Sequence, residues 1–414
     1  MIRLINAQYL DTKTMTVKHG DIAIDGGRFS AVGEIPAEDY ERTININGNL
    51  VIPGFCNAHA HSPMTFLRSA AEDLPLERWL NESVFPREDK LTFEQARLFT
   101  KLSVLEYLAN GITSCFDMYF FPCAESYVSM GFRAVFCSSY NQFWPDVEIM
   151  VRQYEEYNSF HPLISYKMGV HAEYTNSRES LEKVSEIVHK YKAPFWLHVS
   201  ETEKEVRECI ERHGVTPPAL IDRLGLWDFG GGGYHCVWFT DEDYEIFKKR
   251  GLYAVTNPCS NAKLASGICP VKRFRDEGIG LAIGTDGPAS NNGLSMFREM
   301  YMAAVLTKLK ENDPAAVPAA YFLKAATAGG AAAMDIDAGN IAVGKLADLT
   351  VIDLDRPAMR PHNNILDNLV YSGGTDCIKM TAVNGKILYE NGSYNVNEDI
   401  EKLYFDIEQE CRKF

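Results

Sequence analysis

Leu50-Val51-Ile52-Pro53-Gly54-Phe55-Cys56-Asn57-Ala58-His59-Ala60-His61 is an apolar run that stops on two histidines. On an extended strand, residues i and i+2 face the same side, so both imidazoles can reach one ion. Three more residues of metal-binding type occupy the same kind of place. His198 follows Pro194-Phe195-Trp196-Leu197, and His235 follows the glycine run Gly230 to Gly233 and Tyr234. Asp286 follows Gly280-Leu281-Ala282-Ile283-Gly284-Thr285. Each ends a short apolar segment, where a buried strand stops and its last side chains become available. Residues this far apart in sequence meet only if many strands finish on one face, as they do at the active end of a (β/α)8 barrel.

The intervening sequence supports that reading. Candidate strands at 50–56, 112–117, 133–138, 164–170, 194–199, 233–237, 252–256 and 280–285 alternate with helical stretches that include 93–110, 180–191, 241–250 and 294–310. Asn110-Gly111 and Arg250-Gly251 have the composition of helix C-caps. Alternating β and α segments imply a parallel sheet, and eight units imply closure. The two ends differ from this middle. Ile22-Ala23-Ile24-Asp25-Gly26-Gly27-Arg28-Phe29 reads as a hairpin, and Ala347-Asp348-Leu349-Thr350-Val351-Ile352-Asp353-Leu354 as a strand. Met380 to Tyr389 reads as a second hairpin that turns at Asn384-Gly385. The expected fold is therefore α/β. A catalytic, metal-dependent TIM barrel spans 53–344, and both termini, 1–52 and 345–414, build a small β-sandwich, the latter adding a terminal helix.

Composition narrows the class. A chain of 414 residues, 46% of them hydrophobic, accommodates a barrel of roughly 250–300 residues plus a smaller module. The net charge of −15 speaks against a nucleic-acid or anionic-membrane surface. No apolar run approaches the ~18 residues that span a bilayer. The start, Met1-Ile2-Arg3-Leu4-Ile5-Asn6-Ala7, lacks the features of a signal peptide. Ten irregularly spaced cysteines without a CxxC pair read as reduced, mostly buried thiols of a cytoplasmic protein. Cys56 and Cys236, beside candidate ligands, read as strand packing.

Histidine supplies neutral nitrogen and aspartate charged oxygen, a set that suits one divalent metal. Zinc is the default, with iron and manganese as alternatives. Glu201 lies three residues beyond His198 in His198-Val199-Ser200-Glu201-Thr202. A carboxyl there can move protons on a substrate bound at the metal. The plainer alternative is a charge favoured at the start of the next helix.

Further motifs are Ala71-Glu72-Asp73-Leu74-Pro75-Leu76-Glu77-Arg78-Trp79-Leu80, Asp117-Met118-Tyr119, His235-Cys236-Val237, Asn257-Pro258-Cys259-Ser260-Asn261 and Gly284-Thr285-Asp286-Gly287-Pro288-Ala289-Ser290-Asn291-Asn292. With these, the chain resembles, almost end to end, the cytosolic aminohydrolases of the amidohydrolase superfamily. Within them it most resembles the S-adenosylhomocysteine / 5'-methylthioadenosine deaminase group. The resemblance implies that His59, His61, His198 and Asp286 hold one metal, and that His235 orients the water it activates. It further implies that Asp286 accepts the water's proton and that Glu201 protonates a ring nitrogen beside the carbon attacked. The outcome is a C–NH2 group turned into C=O with release of ammonia. Relatives with two metals bridge them by a carbamylated lysine at the end of strand four. Here that strand ends near Gly169-Val170-His171 and Lys167 falls inside it, which favours one metal.

For the substrate, the resemblance matches Glu88 to a ligand of ribose hydroxyls, Trp79 to a pocket aromatic and His171 to a substrate-contacting histidine. The plain alternatives are a solvated loop charge, a packed helix aromatic and a core histidine. S-adenosylhomocysteine deaminases carry two arginines after strand three, and Ser138 and Asp146 align with them here. Neither can pair with an amino-acid carboxylate. Phe143 and Trp144 in the same stretch suit a small or apolar 5' group. Adenosine, 5'-deoxyadenosine or 5'-methylthioadenosine is the expected substrate class. The alternative is a free base or related ring: guanine, 8-oxoguanine, a pterin, cytosine or an s-triazine. The expected partner is such a small molecule, with no nucleic acid and no membrane, and the resemblance makes a homo-oligomer an expectation.

Overall fold

A computed structural model describes residues 1–36, 40–70, 72–74, 78–144 and 146–414. Ala71, Pro75, Leu76 and Glu77 of the motif quoted above lie outside the described residues, as does Pro145. Five strands come first: β1 (Ile2–Asp11), β2 (Thr16–Asp25), β3 (Arg28–Gly33), β4 (Arg42–Asn45) and β5 (Leu50–Pro53). Eight follow: β6 (Phe55–Ala60), β7 (Ile112–Met118), β8 (Arg133–Cys137), β9 (Ile164–Ala172), β10 (Phe195–Val199), β11 (Gly231–His235), β12 (Tyr253–Thr256) and β13 (Gly280–Ile283). The last four are β14 (Leu349–Ile352), β15 (Ile378–Val383), β16 (Lys386–Glu390) and β17 (Ser393–Tyr394).

The expected strand at 50–56 is two strands in two sheets. Pro53 ends β5, and Gly54 turns the chain into β6. A side chain at Gly54 would lie 2.1 Å from the Thr113 methyl, so only glycine fits the crossing. The expected strand at 233–237 runs instead from Gly231, which pairs with Phe195, to His235. Glycine has little strand preference of its own, but the bare backbone leaves room for Trp196. A Cβ on Gly232 would meet the Trp196 ring at 2.6 Å.

Strands β6 to β13 are parallel and lie in sequence order. The seam between first and last is stitched by polar groups. The Asp286 amide donates to the His59 carbonyl at 2.9 Å. The Asn57 amide both donates to the Thr285 hydroxyl and accepts from its backbone N–H, each at 2.8 Å. The opposite end of the barrel is plugged by the helix Gly330–Met334, whose Ala331, Ala333 and Met334 pack on interior residues such as Phe116, Trp196 and Val255. Lys167 points to that end, with Nζ 3.0 Å from Asp335.

Both termini build the other sheet, in the order β17-β16-β15-β14-β5-β1-β2-β3 with β4 parallel on β1. Hydrogen bonding is continuous across its nine strands. Its period-two pattern serves two cores. Val51, Leu349, Val351, Met380 and Ala382 join Leu4, Ile22 and Phe29 in the sheet's own core. Leu50, Ile52, Ile352, Ile378 and Val383 join the barrel's. Gly26-Gly27 and Asn384-Gly385 have positive φ throughout, as tight two-residue hairpin turns require. No described helix is long and apolar enough to cross a membrane.

One buried ion pair ties sheet to barrel. Arg133, at the start of β8, donates to both carboxylate oxygens of Asp348 at 2.7 and 3.2 Å, and the pair is 6% and 1% exposed. Asp348 Oδ1 also accepts the Asn384 amide at 2.6 Å. Asp348→Ala would leave a buried guanidinium without its counter-charge. The expected loss, read by urea denaturation, is about 3–5 kcal/mol. A loss below about 1 kcal/mol would rule the pair out as a principal tie.

Candidate active site

Four donor atoms converge at the C-terminal mouth of the barrel. His198 Nε2 lies 3.1 Å from His59 Nε2 and 3.2 Å from His61 Nε2. Asp286 Oδ1 lies 3.4 Å from His59 Nε2 and 3.3 Å from His61 Nε2. Ligands about 2.0–2.1 Å from a tetrahedral zinc are about 3.3–3.4 Å apart along each edge, so the cluster has the size of one such site. His59, His61 and His198 form one candidate metal triad, and His59, His235 and Asp286 another.

The neighbours hold the lone pairs inward. His61 Nδ1 donates to the Met118 carbonyl at 2.5 Å and His198 Nδ1 to the His171 carbonyl at 2.6 Å, which leaves each Nε2 as the acceptor. His59 instead stacks on Tyr234, with centroids 3.9 Å apart. Burial pulls its pKa down to about 3 and holds that of His198 well below the usual imidazole value. Both rings are therefore neutral, as metal ligation needs. Burial opposes the ionisation of Asp286, yet the close approach of His59 and His61 outweighs it and holds the carboxyl well below the usual carboxylate range. The second oxygen of Asp286 accepts from Ser260 at 2.6 Å and Ser290 at 2.8 Å.

Beside this cluster, His235 donates from Nδ1 to Asn261 at 2.8 Å and turns Nε2 toward Glu201, 3.8 Å from Oε2. Glu201 precedes the helix Glu203–His213, whose N-cap is Thr202, so it is not one of that helix's first-turn acids. Asp286, His235 and Ser200 all have left-handed φ, at 60°, 72° and 51°. Non-glycine residues are held there at a cost, and such strain clusters where side chains must be aimed.

A cavity of about 710 Å³ opens above. His61, His198, His235, Glu201 and Asp286 border it, and so do Trp79, Glu88 and His171. Glu88 accepts the Tyr119 hydroxyl at 2.6 Å, and burial pushes its carboxyl up to about 7. Trp79 is 7% exposed and opens the helical turn Trp79–Val84. His171 lies near the end of β9, and burial pulls its ring down to about 4. Phe143 and Trp144 line the outer part, whereas Ser138 accepts the Tyr140 amide and Asp146 pairs with Arg152. No lysine or arginine is among the described lining residues.

Several partners escape a sequence reading. Ser260 and Asn261 stood in a quoted motif without a role. Ser266 donates to Glu201, and Glu205 accepts from the backbone of Ser200 and Glu201. The i, i+4 spacing of Glu205 from Glu201 was the one local signal for it, and Ser266 had none.

The Amidohydrolase family model matches residues 50–388. The chain is 37% identical over 409 residues to a 5-methylthioadenosine/S-adenosylhomocysteine deaminase of Thermoanaerobacter pseudethanolicus, covering 96% of this chain and 94% of that one. It is 37% identical over 365 residues to a 5'-deoxyadenosine deaminase of Methanopyrus kandleri, covering 86% and 85%. Among solved structures, an adenosine deaminase from Xanthomonas campestris with bound zinc matches 100% of this chain and 99% of its own, at 32% identity and a TM-score of 0.93.

Because Ser260 and Ser290 orient the carboxylate that completes the donor set, Ser260→Ala and Ser290→Ala should each weaken zinc affinity about ten- to a hundredfold. Competition against a chromophoric chelator measures this. Unchanged affinity in both variants would show that Asp286 is aimed by other means.

Proposed function

Because the chain belongs to the amidohydrolase family, we propose that it is a metal-dependent hydrolytic deaminase of adenine nucleosides of the adenosine, 5'-deoxyadenosine or 5'-methylthioadenosine class. The observation that carries this is a protonable carboxyl, Glu201, on the same cavity as a donor set sized for one ion. His59, His61, His198 and Asp286 would hold that ion, and the mixed nitrogen and oxygen donors suit zinc, with iron or manganese as alternatives. Lys167, engaged with Asp335 at the other end of the barrel, supports one ion rather than a carbamate-bridged pair. When bound, a divalent ion supplies the Lewis acidity that brings the pKa of water toward about 7.

The chain's own residues do the rest. Asp286 takes the proton that water gives up as it adds to the amine-bearing ring carbon. His235, its Nδ1 fixed by Asn261, directs Nε2 at that water. Glu201 delivers a proton to the adjacent ring nitrogen; Asp286 then returns its proton to the amine, the Glu201 carboxylate takes back the proton of the new hydroxyl, and ammonia leaves as C=O forms. Glu88 accepts two ribose hydroxyls, Trp79 walls the purine and His171 contacts the ligand. A cavity with no lysine or arginine among its described lining residues poorly serves a homocysteine carboxylate or a phosphate, and Phe143 and Trp144 suit an apolar 5' group. Ten free cysteines, nine of them buried, support a reducing, cytoplasmic setting, and the charge of −15 supports a small molecule rather than a nucleic acid as partner.

Glu201→Gln should lower kcat by at least about a thousandfold with zinc content unchanged; appreciable turnover would sink the acid role. Glu88→Ala should raise KM mainly for ribosylated substrates; an equal loss on free bases would show that it is not a ribose ligand. Because the Glu88 carboxyl titrates near 7, it is protonated below and ionised above. The wild-type KM for 5'-deoxyadenosine should therefore fall as pH rises from 6 to 8, and Glu88→Ala should flatten that dependence. Ammonia release across nucleosides, S-adenosylhomocysteine, guanine, 8-oxoguanine, a pterin and cytosine tests the substrate class. Activity on a free base alone would overturn it.

A further inference from the structure

We infer that Ser266 and Glu205 are positioning residues for the Glu201 carboxyl, Ser266 by determining which of its oxygens carries the proton given to substrate and Glu205 by fixing the backbone beneath it, an inference that rests on the acid role of Glu201. A carboxyl group offers two equivalent oxygens, and rotation about its last torsion is soft. An acid that must deliver its proton in one direction needs those oxygens made different. Here they are. Ser266, 3% exposed, donates its hydroxyl to Oε1 at 3.0 Å, while Oε2 lies on the side of His235. An oxygen that accepts a hydroxyl proton is the poorer place for the carboxyl's own. The proton therefore sits on Oε2, moves from there to the ring nitrogen, and leaves a carboxylate whose Oε1 still accepts from Ser266.

The backbone beneath Glu201 is held equally firmly. Glu205, 5% exposed, accepts the Ser200 N–H at 2.7 Å on one oxygen and the Glu201 N–H at 2.8 Å on the other. The Ser200 carbonyl in turn accepts the N–H groups of Val237 and Trp238 at 3.0 and 2.9 Å. These bonds hold Ser200 in its left-handed conformation, and so hold the Cα of Glu201 in place.

The loop that carries Ser266 does not depend on its hydroxyl. Its N–H bonds to the Asn261 carbonyl at 2.9 Å, and its carbonyl accepts the Trp238 indole N–H at 2.7 Å. The next residue, Gly267, has φ of 129° and lies so close to Val237 that a Cβ would come within 2.8 Å of it. Ser266→Ala therefore removes the bond to Glu201 and leaves both backbone bonds standing.

The test uses the zinc-loaded enzyme and 5'-deoxyadenosine. Ser266→Ala should lower kcat about ten- to a hundredfold, the worth of a hydrogen bond to a charged group, and change KM by less than about threefold. Zinc content and Tm should stay at wild-type values. A double-mutant cycle then separates positioning from packing. The probe is a nucleoside whose amine-bearing carbon is replaced by a tetrahedral, hydroxyl-bearing one, with affinity measured by calorimetry. Ser266→Ala should weaken its binding in the wild-type background and have no effect in Glu201→Ala, where no acceptor for the Ser266 hydroxyl remains. Glu205→Gln, which keeps one of the two acceptors, should follow the same pattern. Equal weakening by Ser266→Ala in both backgrounds would mean packing alone and overturn the inference. Wild-type kcat in Ser266→Ala, beside an inactive Glu201→Gln, would overturn it while leaving the acid role intact. An active Glu201→Gln would remove the acid role and the inference together.

Discussion

The seam where β6 meets β13 is the constraint on which the rest of this molecule depends. Closing a ring of eight strands brings the first strand beside the last, and here the closing contacts are polar. Asn57 bonds Thr285 in both directions, and the His59 carbonyl receives the Asp286 amide. Each contact lies within two residues of a metal-type ligand. The same atoms that end the sheet set the separation of His59 and Asp286, so the fold and the donor geometry are not independent.

Around the seam, the protein spends stability on direction. Burying three imidazoles and an ionised carboxylate with their metal-type donor atoms crowded at one point is unfavourable without a cation between them. The backbone at Ser200, His235 and Asp286 is held in conformations that most residues avoid. Carbonyls at Met118 and His171, hydroxyls at Ser260 and Ser290, and the Asn261 amide satisfy the outward side of His61, His198, Asp286 and His235. His59 is the exception: its Nδ1 is buried without a hydrogen-bond partner.

Much of this was legible in the sequence, for a physical reason. A strand buried on both faces must be apolar, so a histidine or aspartate that ends such a run marks a strand terminus and a usable side chain at once. That logic picks out His59, His61, His198, His235 and Asp286, and the Asp-Gly-Gly and Asn-Gly turns announce the terminal hairpins. It failed where the signal was not local. Leu50 to Cys56 reads as one strand because hydrophobicity is blind to which sheet a residue joins. The start of β11 is hidden because glycines carry no strand signal, yet their absent side chains admit Trp196. Ser266 reaches Glu201 across 65 residues, and Tyr119 reaches Glu88 across 31. Neither serine nor tyrosine announces from its neighbours that it will be the partner of a distant acid.

The single-residue crossing at Gly54 has a consequence for how the chain acquires its shape. β5 lies between β1 and β14, and its pairing with β14 joins Pro53 to Leu349. Closure of the barrel likewise waits for residue 286 to reach residue 59. Contacts of such long sequence separation form late and slowly. On a ribosome that releases the chain from its N-terminus, β5 and β6 emerge more than two hundred residues before β14 and β13, the partners on their far edges. For that interval the apolar run of β5 keeps an unpaired edge, and nascent chains of this protein would be clients for chaperones until the last seventy residues are free.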